Sequence, residues 1–233
     1  MSAPVPRRGW RTTLRENALS LMFAALFLGS LLGQALAGCA RFNREQVDAG
    51  VAPVSLGRYV TSSAFGVDVL ENWQSEFLQF LLFILATVWL VQRGSPESKP
   101  LGRAGRESDA QQQMGVHAGP AAPRAARARG WRRTLYAHSL GLAMGTVFLL
   151  SWAGQSVAGA VAYSQEQVRD GQDPVSWAEY VRLPDFWDRT LQNWQSEFLA
   201  VLAMVILTVY LRERGSPESK PVGAPHDSTG VEG

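Results

Sequence analysis

The stretch Asn72-Trp73-Gln74-Ser75-Glu76-Phe77-Leu78 returns unchanged as Asn193-Trp194-Gln195-Ser196-Glu197-Phe198-Leu199. Each copy opens an apolar run, residues 77–91 and 198–211, and each run closes on Arg-Gly-Ser-Pro-Glu-Ser-Lys-Pro, at Arg93 to Pro100 and Arg214 to Pro221. The same spacing of 121 residues pairs Trp10 with Trp131, Gly33-Gln34 with Gly154-Gln155, Glu45-Gln46-Val47 with Glu166-Gln167-Val168, and Tyr59-Val60 with Tyr180-Val181. No gap is needed from Gly9 to Pro100, so the chain reads as a tandem duplication.

A second pair of apolar blocks precedes the motif copies, at residues 18–40 and 140–162, and neither contains Asp, Glu, Lys or Arg. About 20 such residues, at ~1.5 Å each, cross a ~30 Å hydrocarbon layer. The runs behind the motifs are shorter. The 15 residues 77–91 reach only ~22 Å, so the span must borrow from the motif. The sequence therefore predicts an all-α integral membrane protein of four helices, made of two parallel tandem repeats of two spans each. The first repeat covers residues 1–100 with spans near 18–40 and 72–92. The second covers residues 130–221 with spans near 139–162 and 193–213. Residues 101–129, rich in Gly, Ala, Arg and Gln, are expected as a flexible linker and residues 222–233 as a disordered tail.

The averages alone conceal this: 233 residues, 46% hydrophobic, 18% charged, mean hydropathy −0.05. A net charge of +2 does not point to nucleic acid. The placement of the basic residues carries more. Arg7, Arg8, Arg11 and Arg15 precede the first span, a run from Arg93 to Arg133 separates the second and third, and Arg212, Arg214 and Lys220 follow the fourth. The positive-inside rule then puts both termini and the linker in the cytoplasm of a cell (inner or plasma) membrane. The partners expected are the lipid bilayer and a second copy or another membrane protein.

The lone cysteine excludes an intrachain disulfide. Leu36-Ala37-Gly38-Cys39 after an apolar run has the look of a lipoprotein signal, but the second copy reads Val157-Ala158-Gly159-Ala160, and a retained first helix is the favoured reading.

Two sets of positions are candidates for function. Ser30, Gly33, Ala37 and Gly38, with Ser151, Gly154, Ala158 and Gly159, fall on one helical face at i, i+3, i+7 and i+8 and form a helix-packing surface. Glu76 and Glu197 enter the membrane with their motifs, where an acid must face protein or water. Gln34 and Gln155 are expected at similar depth, giving an intramembrane polar cluster of Gln34, Glu76, Gln155 and Glu197. Pro53-Val54-Ser55 and Pro174-Val175-Ser176 lead into short helix-compatible stretches of the outer loops, residues 54–60 and 175–181, and Tyr59, Trp177, Tyr180 and Trp187 are expected as interfacial anchors. His117, His138 and His226 are scattered, and no Gly-rich phosphate loop or nucleophile elbow occurs, so no metal, cofactor or catalytic residue is expected. In the repeated octapeptide, Arg anchors the helix end, Gly suits a C-cap and Pro stops the helix. Ser95, Glu97, Ser98 and Lys99 are left for a folded turn or a partner-binding epitope.

The tyrosine loop, the Asn-Trp-Gln-Ser-Glu-Phe-Leu stretch and the Arg-Gly-Ser-Pro-Glu-Ser-Lys exit, duplicated in this order, resemble a family of bacterial, chiefly actinobacterial, multi-pass membrane proteins known as a domain of unknown function. The resemblance covers nearly the whole chain. It implies the membrane fold and brings no reaction, substrate or site. The leading expectation is a structural or interaction role in the cell envelope, without enzymatic activity. A small ion, proton or solute pathway through the glutamate pair is the rival, and a membrane enzyme is a distant third.

Overall fold

A computed structural model describes residues 9–231; Arg7 and Arg8 of the basic arm lie outside them. Among the described residues the regular structure is helical: α1 (Trp10–Glu16), α2 (Ala18–Asp48), α3 (Leu56–Val60), α4 (Ser63–Ala86), α5 (Trp131–Ala137), α6 (Ser139–Arg169), α7 (Trp177–Tyr180) and α8 (Pro184–Tyr210). The chain divides after Gly66 into two compact units.

Three helices, α2, α6 and α8, are long and apolar enough to cross a membrane, where four were expected. The missing one is α4. It has 24 residues, enough length, but Asp68, Glu71, Asn72, Gln74 and Glu76 fall within it and it stops at Ala86, short of the apolar Val88, Leu90 and Val91. The stop comes from outside the helix. The Val88 carbonyl is taken by the Gly105 amide at 2.7 Å and the Gln92 amide by Ser98 Oγ at 2.8 Å, so the chain turns where helix was expected to run on to residue 92. The matching helix α8 runs to Tyr210.

Helices α2 and α6 are longer than predicted, 31 residues apiece, because their charged ends do not stop them. Arg41 pairs with Glu45 at 3.2 Å across one turn, and Arg169 with Glu166 at 3.8 Å. Charge ends the apolar span without ending the helix.

In the first unit, Asn43 on α2 clamps the chain before α3: its amide donates to the Val54 carbonyl at 2.9 Å and its Oδ1 accepts from the Val54 amide at 2.7 Å. Tyr59 is 1% exposed, between Phe42 and Phe65 at ring distances of 5.5 and 5.4 Å, and its hydroxyl end lies on Gly38. The second unit repeats the arrangement. Ser164 exchanges two hydrogen bonds with Val175, and Tyr180, also 1% exposed, packs between Tyr163 and Phe186 with its ring on Gly159. Burial and the adjacent Asp185 push the Tyr180 phenol up to about 12. Both tyrosines, expected as interfacial anchors, are instead core residues, because a glycine one helix away leaves room for the ring. Trp177 stays exposed and donates to Ser156 Oγ at 3.0 Å.

Beyond the long helices, the repeated octapeptide folds as a turn. Ser98 Oγ accepts from the Gln92 amide at 2.8 Å and Ser219 Oγ accepts from the Glu213 amide at 2.9 Å. Lys99 then donates to the Gly105 carbonyl and pairs with Glu107 at 2.6 Å, while Lys220 donates to the carbonyls of Pro225, His226 and Ser228. Burial pushes the Lys220 ammonium below the usual lysine range. Residues 222–231, expected as a disordered tail, are held here by those bonds and by Thr229 Oγ1, which accepts from the Gly94 amide. Residues 101–129, expected as a flexible linker, form turns joined by Gly115 N–H to the Ala126 carbonyl and by an Asp109–Arg133 ion pair.

Candidate functional site: the contact of the two motif copies

The second unit brings the two motif stretches together, α4 against α8. On α4 the buried residues are Val67, Gln74, Ser75 and Leu78, with Glu71 half-buried, a spacing that defines one face. Three polar links cross from it. Glu71 Oε2 meets Arg189 Nη1 at 3.0 Å, the Trp194 indole donates to Gln74 Oε1 at 2.7 Å, and the Gln79 amide donates to the Glu197 carbonyl at 3.2 Å. Gln74 is fully buried, and its other amide end donates to the Glu71 carbonyl, so the side chain is satisfied at both ends. A buried amide that lost one of these partners would cost ~1–3 kcal/mol.

The asparagines and serines of the motif also bond their own helix. Asn72 and Asn193 donate back to the Asp68 and Arg189 carbonyls, and Ser75 and Ser196 to the Asn72 and Asn193 carbonyls.

Of the four residues of the expected polar cluster, Glu76 and Glu197 lie near each other where α4 meets α8. Glu76 is exposed and Glu197 half-buried; Ser75 lies within hydrogen-bonding reach of the Glu197 carboxylate, with Glu76 near enough for the two charges to interact. Gln155 is fully buried, yet neither its amide nitrogen nor its oxygen has a hydrogen-bond partner, so it makes no bond to Glu197. Gln34, in the first unit, is half-buried on α2.

The packing face divides by repeat. On α6, Ser151 and Gly159 are buried, Gly154 and Ala158 half-buried, and a Cβ added to Gly154 would come within 2.9 Å of Leu70 Cδ1 on α4. Gly145 and Gly141 face Leu81 and Leu85 of the same helix. On α2, Ser30, Gly33 and Ala37 are exposed, and a Cβ on Gly33 would meet nothing within 4 Å. Only Gly38 is used, by Tyr59.

The match extends to family level: a family model covers residues 10–231. The chain belongs to the DUF6766 family. That family is described as a domain of unknown function, so membership fixes kinship without a reaction. No curated protein and no solved structure matches the chain.

Sequence reasoning missed the Glu71–Arg189 pair, and a signal for it existed. At the spacing of 121, Arg189 stands where the first copy has Asp68, and Glu71 where the second has Gln192. Where two matching stretches of a chain differ in charge at two positions on one helical face, an ion pair between them is a candidate.

Proposed function

We propose that this DUF6766 chain is a non-enzymatic assembly protein of the cell membrane that self-associates through α2. The observation that carries this is the unequal use of one packing face. On α6 it takes the leucine ridge of α4, Leu70, Leu81 and Leu85, into its small residues, whereas nothing within the first unit covers the equivalent face of α2. The counterpart ridge on α8, Leu191, Leu202 and Ile206, is 52, 54 and 45% exposed. A second copy supplies the match, its α8 ridge seated on α2 as α4 seats on α6. The polar residues of the motif support a structural role, since Gln74 and Trp194 are consumed in holding α4 to α8.

In this reading α4 also crosses the bilayer. Glu71, Gln74 and Gln79 turn to α8 and Asn72 bonds its own backbone, a distinction that an average over the helix does not register. Both termini then lie on the cytoplasmic side, in keeping with the arginines around them.

Two separately tagged chains test the association, each in a Cys39→Ser background, one carrying Gly33→Cys and the other Leu191→Cys. Co-reconstituted and oxidised, they are expected to give a disulfide-linked heterodimer, lost when Ser30→Leu is added to the first. No product containing both tags sinks the proposal.

One observation favours a second reading, an ion or proton pathway: Ser75, Glu76 and Glu197 come together where α4 meets α8. Proton flux in proteoliposomes that disappears in the Glu76→Gln, Glu197→Gln double variant supports it, and no flux in the unaltered protein removes it.

A further inference from the structure

Past the end of α4 the chain doubles back on itself. Gly105, at φ +104°, donates its amide to the Val88 carbonyl at 2.7 Å and accepts at its own carbonyl from Lys99 at 2.7 Å. That fold seats the Arg106 guanidinium over the Trp89 ring, 5.6 Å from its centroid. Trp89, its neighbour Leu90, and Leu101 on the returning segment are each at least half exposed. Arg103 and Arg106 are exposed too, and among the described residues neither guanidinium has a carboxylate or hydrogen-bond acceptor. The acid next in the chain, Glu107, is held by Lys99 at 2.6 Å. The second repeat closes the matching place on itself. Tyr210 stands where the first has Trp89, and Ala224 and Asp227 where it has Arg103 and Arg106. There His226 lies against the Tyr210 ring at 5.7 Å, Asp227 pairs with Arg93, and Arg212 is engaged by main-chain carbonyls.

We propose that Trp89, Leu90, Leu101, Arg103 and Arg106 form a docking site for an anionic phospholipid, its phosphodiester head on the two guanidiniums and its chains along the apolar residues. The inference rests on the reading that α4 crosses the bilayer. Charge selects the head. Two cations without an acid partner attract an anion, and the planar fork of a guanidinium fits two phosphate oxygens at once. A zwitterionic head is the weaker match, because its own ammonium is repelled by the same arginines. Position selects a lipid over a soluble polyanion: a nucleic acid would use the arginines and leave Leu90 and Leu101 in water. Tryptophan and arginine at a helix end suit the headgroup zone, where the negative surface of the cytoplasmic leaflet adds to the pull on each basic residue. The contact with Trp89 also holds Arg106 in place beforehand, which lowers the cost of ordering it on the ligand. Since the second repeat lacks both arginines, one such lipid is expected per chain. The site shares no residue with the α2 face, so it stands or falls apart from self-association.

Native mass spectrometry of the full chain, released from micelles holding equal amounts of phosphatidylglycerol and phosphatidylcholine, reads the preference directly. The unaltered protein is expected to retain one phosphatidylglycerol ahead of phosphatidylcholine. Arg103→Gln, Arg106→Gln should cut that preference roughly tenfold, a change of ~1.4 kcal/mol. Arg124→Gln, Arg129→Gln removes the same charge from the same segment and should leave the preference intact. Trp89→Ala keeps both arginines and should also weaken retention, with circular dichroism and thermal melting confirming that each variant is folded. No preference in the unaltered protein, or equal loss in the two arginine pairs, overturns the proposal. So does competition by glycerophosphoglycerol, the head without its chains, which would make a free phosphodiester the ligand. A spin label at Leu90→Cys, in a Cys39→Ser background, separates the site from its premise. A label in water removes the membrane placement of α4 and this site with it, whereas a label at headgroup depth without a lipid preference removes the site alone.

Discussion

Trp194 and Gln74 are two members of the repeated motif whose partners in the other copy, Trp73 and Gln195, have different surroundings. Gln74 is wholly buried and Gln195 exposed. Replacing Trp194 by Phe keeps an aromatic group but removes the indole N–H from Gln74 Oε1 and part of the packing on Trp152, which together should lower stability by ~1–3 kcal/mol or more. Gln195→Leu, on the exposed side, should stay within ~0.5 kcal/mol. Equilibrium unfolding in mixed micelles reads both, and equal effects would show that the buried bond contributes nothing. The glycines allow a parallel comparison. A Cβ at Gly159 would press into the Tyr180 ring, at 2.5 to 2.9 Å, so Gly159→Ala should cost ~1–3 kcal/mol, whereas Gly33→Ala, with open space, should be neutral or slightly stabilising in a dilute monomer. Thermal melts of the two variants decide it. The sequence marks these residues as repeated, and repetition alone does not say which copy is buried. A seven-residue motif covers two helical turns and so every side of the helix, and only the packing of α4 on α8 selects residues 71, 74, 75 and 78.

Helices show where local chemistry is legible and where it is overridden. The tyrosine-bearing short helices were readable from Pro-Val-Ser and the residues after it, and Ser55 and Ser176 do cap them. In α7 the cap is reciprocal, since Glu179 accepts from both the Ser176 amide and hydroxyl at 2.7 Å, and those hydrogen bonds hold its carboxyl below the usual range. A carboxyl with a lowered folded value stabilises above its ordinary pKa and loses that contribution as pH falls through the folded one. Amide exchange over residues 176–181 should therefore accelerate below about pH 4.5 relative to global opening, and Glu179→Gln should be fast at every pH and flatten the dependence. The end of α4 was not readable, because the competitor for the Val88 carbonyl is Gly105, seventeen residues on in a stretch without periodic pattern. Likewise the polar ends of α2 and α6 look like loop to a hydropathy window and are helix to the backbone, which counts hydrogen bonds and not transfer energy.

At the level of the whole molecule, the recurrence of motifs at a spacing of 121 residues was the most legible feature, and the different use of each copy the least. The matched tyrosine cores and octapeptide turns arise from residues present in both copies. The Glu71–Arg189 pair and the face of α2 left uncovered within the first unit arise from substitutions or from placement that no single copy encodes. One sequence ambiguity becomes testable at this scale. Cys39 is buried within α2, which continues for nine residues beyond it, and its thiol lies 3.6 Å from Asn43 Nδ2. Intact-mass analysis is expected to find the chain with residues 9–38 still attached and Cys39 as an unmodified thiol, slow toward maleimide until the protein is unfolded. A diacylglyceryl mass increment at Cys39 would show that the helix is cut there.

The two lysines of the repeated turn have an implication for how such a chain diverges. Lys99 and Lys220 both bond main-chain carbonyls, of Gly105 in one case and of Pro225, His226 and Ser228 in the other. A carbonyl is the same acceptor whatever side chain accompanies it. At Lys220 the anchor is thus blind to the letters it grips, while Lys99 adds an ion pair to Glu107, so mutation could rewrite the segment after Pro221 freely, and that after Pro100 around Glu107, while leaving the fold of each turn intact. That is the pattern in the chain itself: the octapeptides are identical, and the segments after Pro100 and Pro221 share almost nothing.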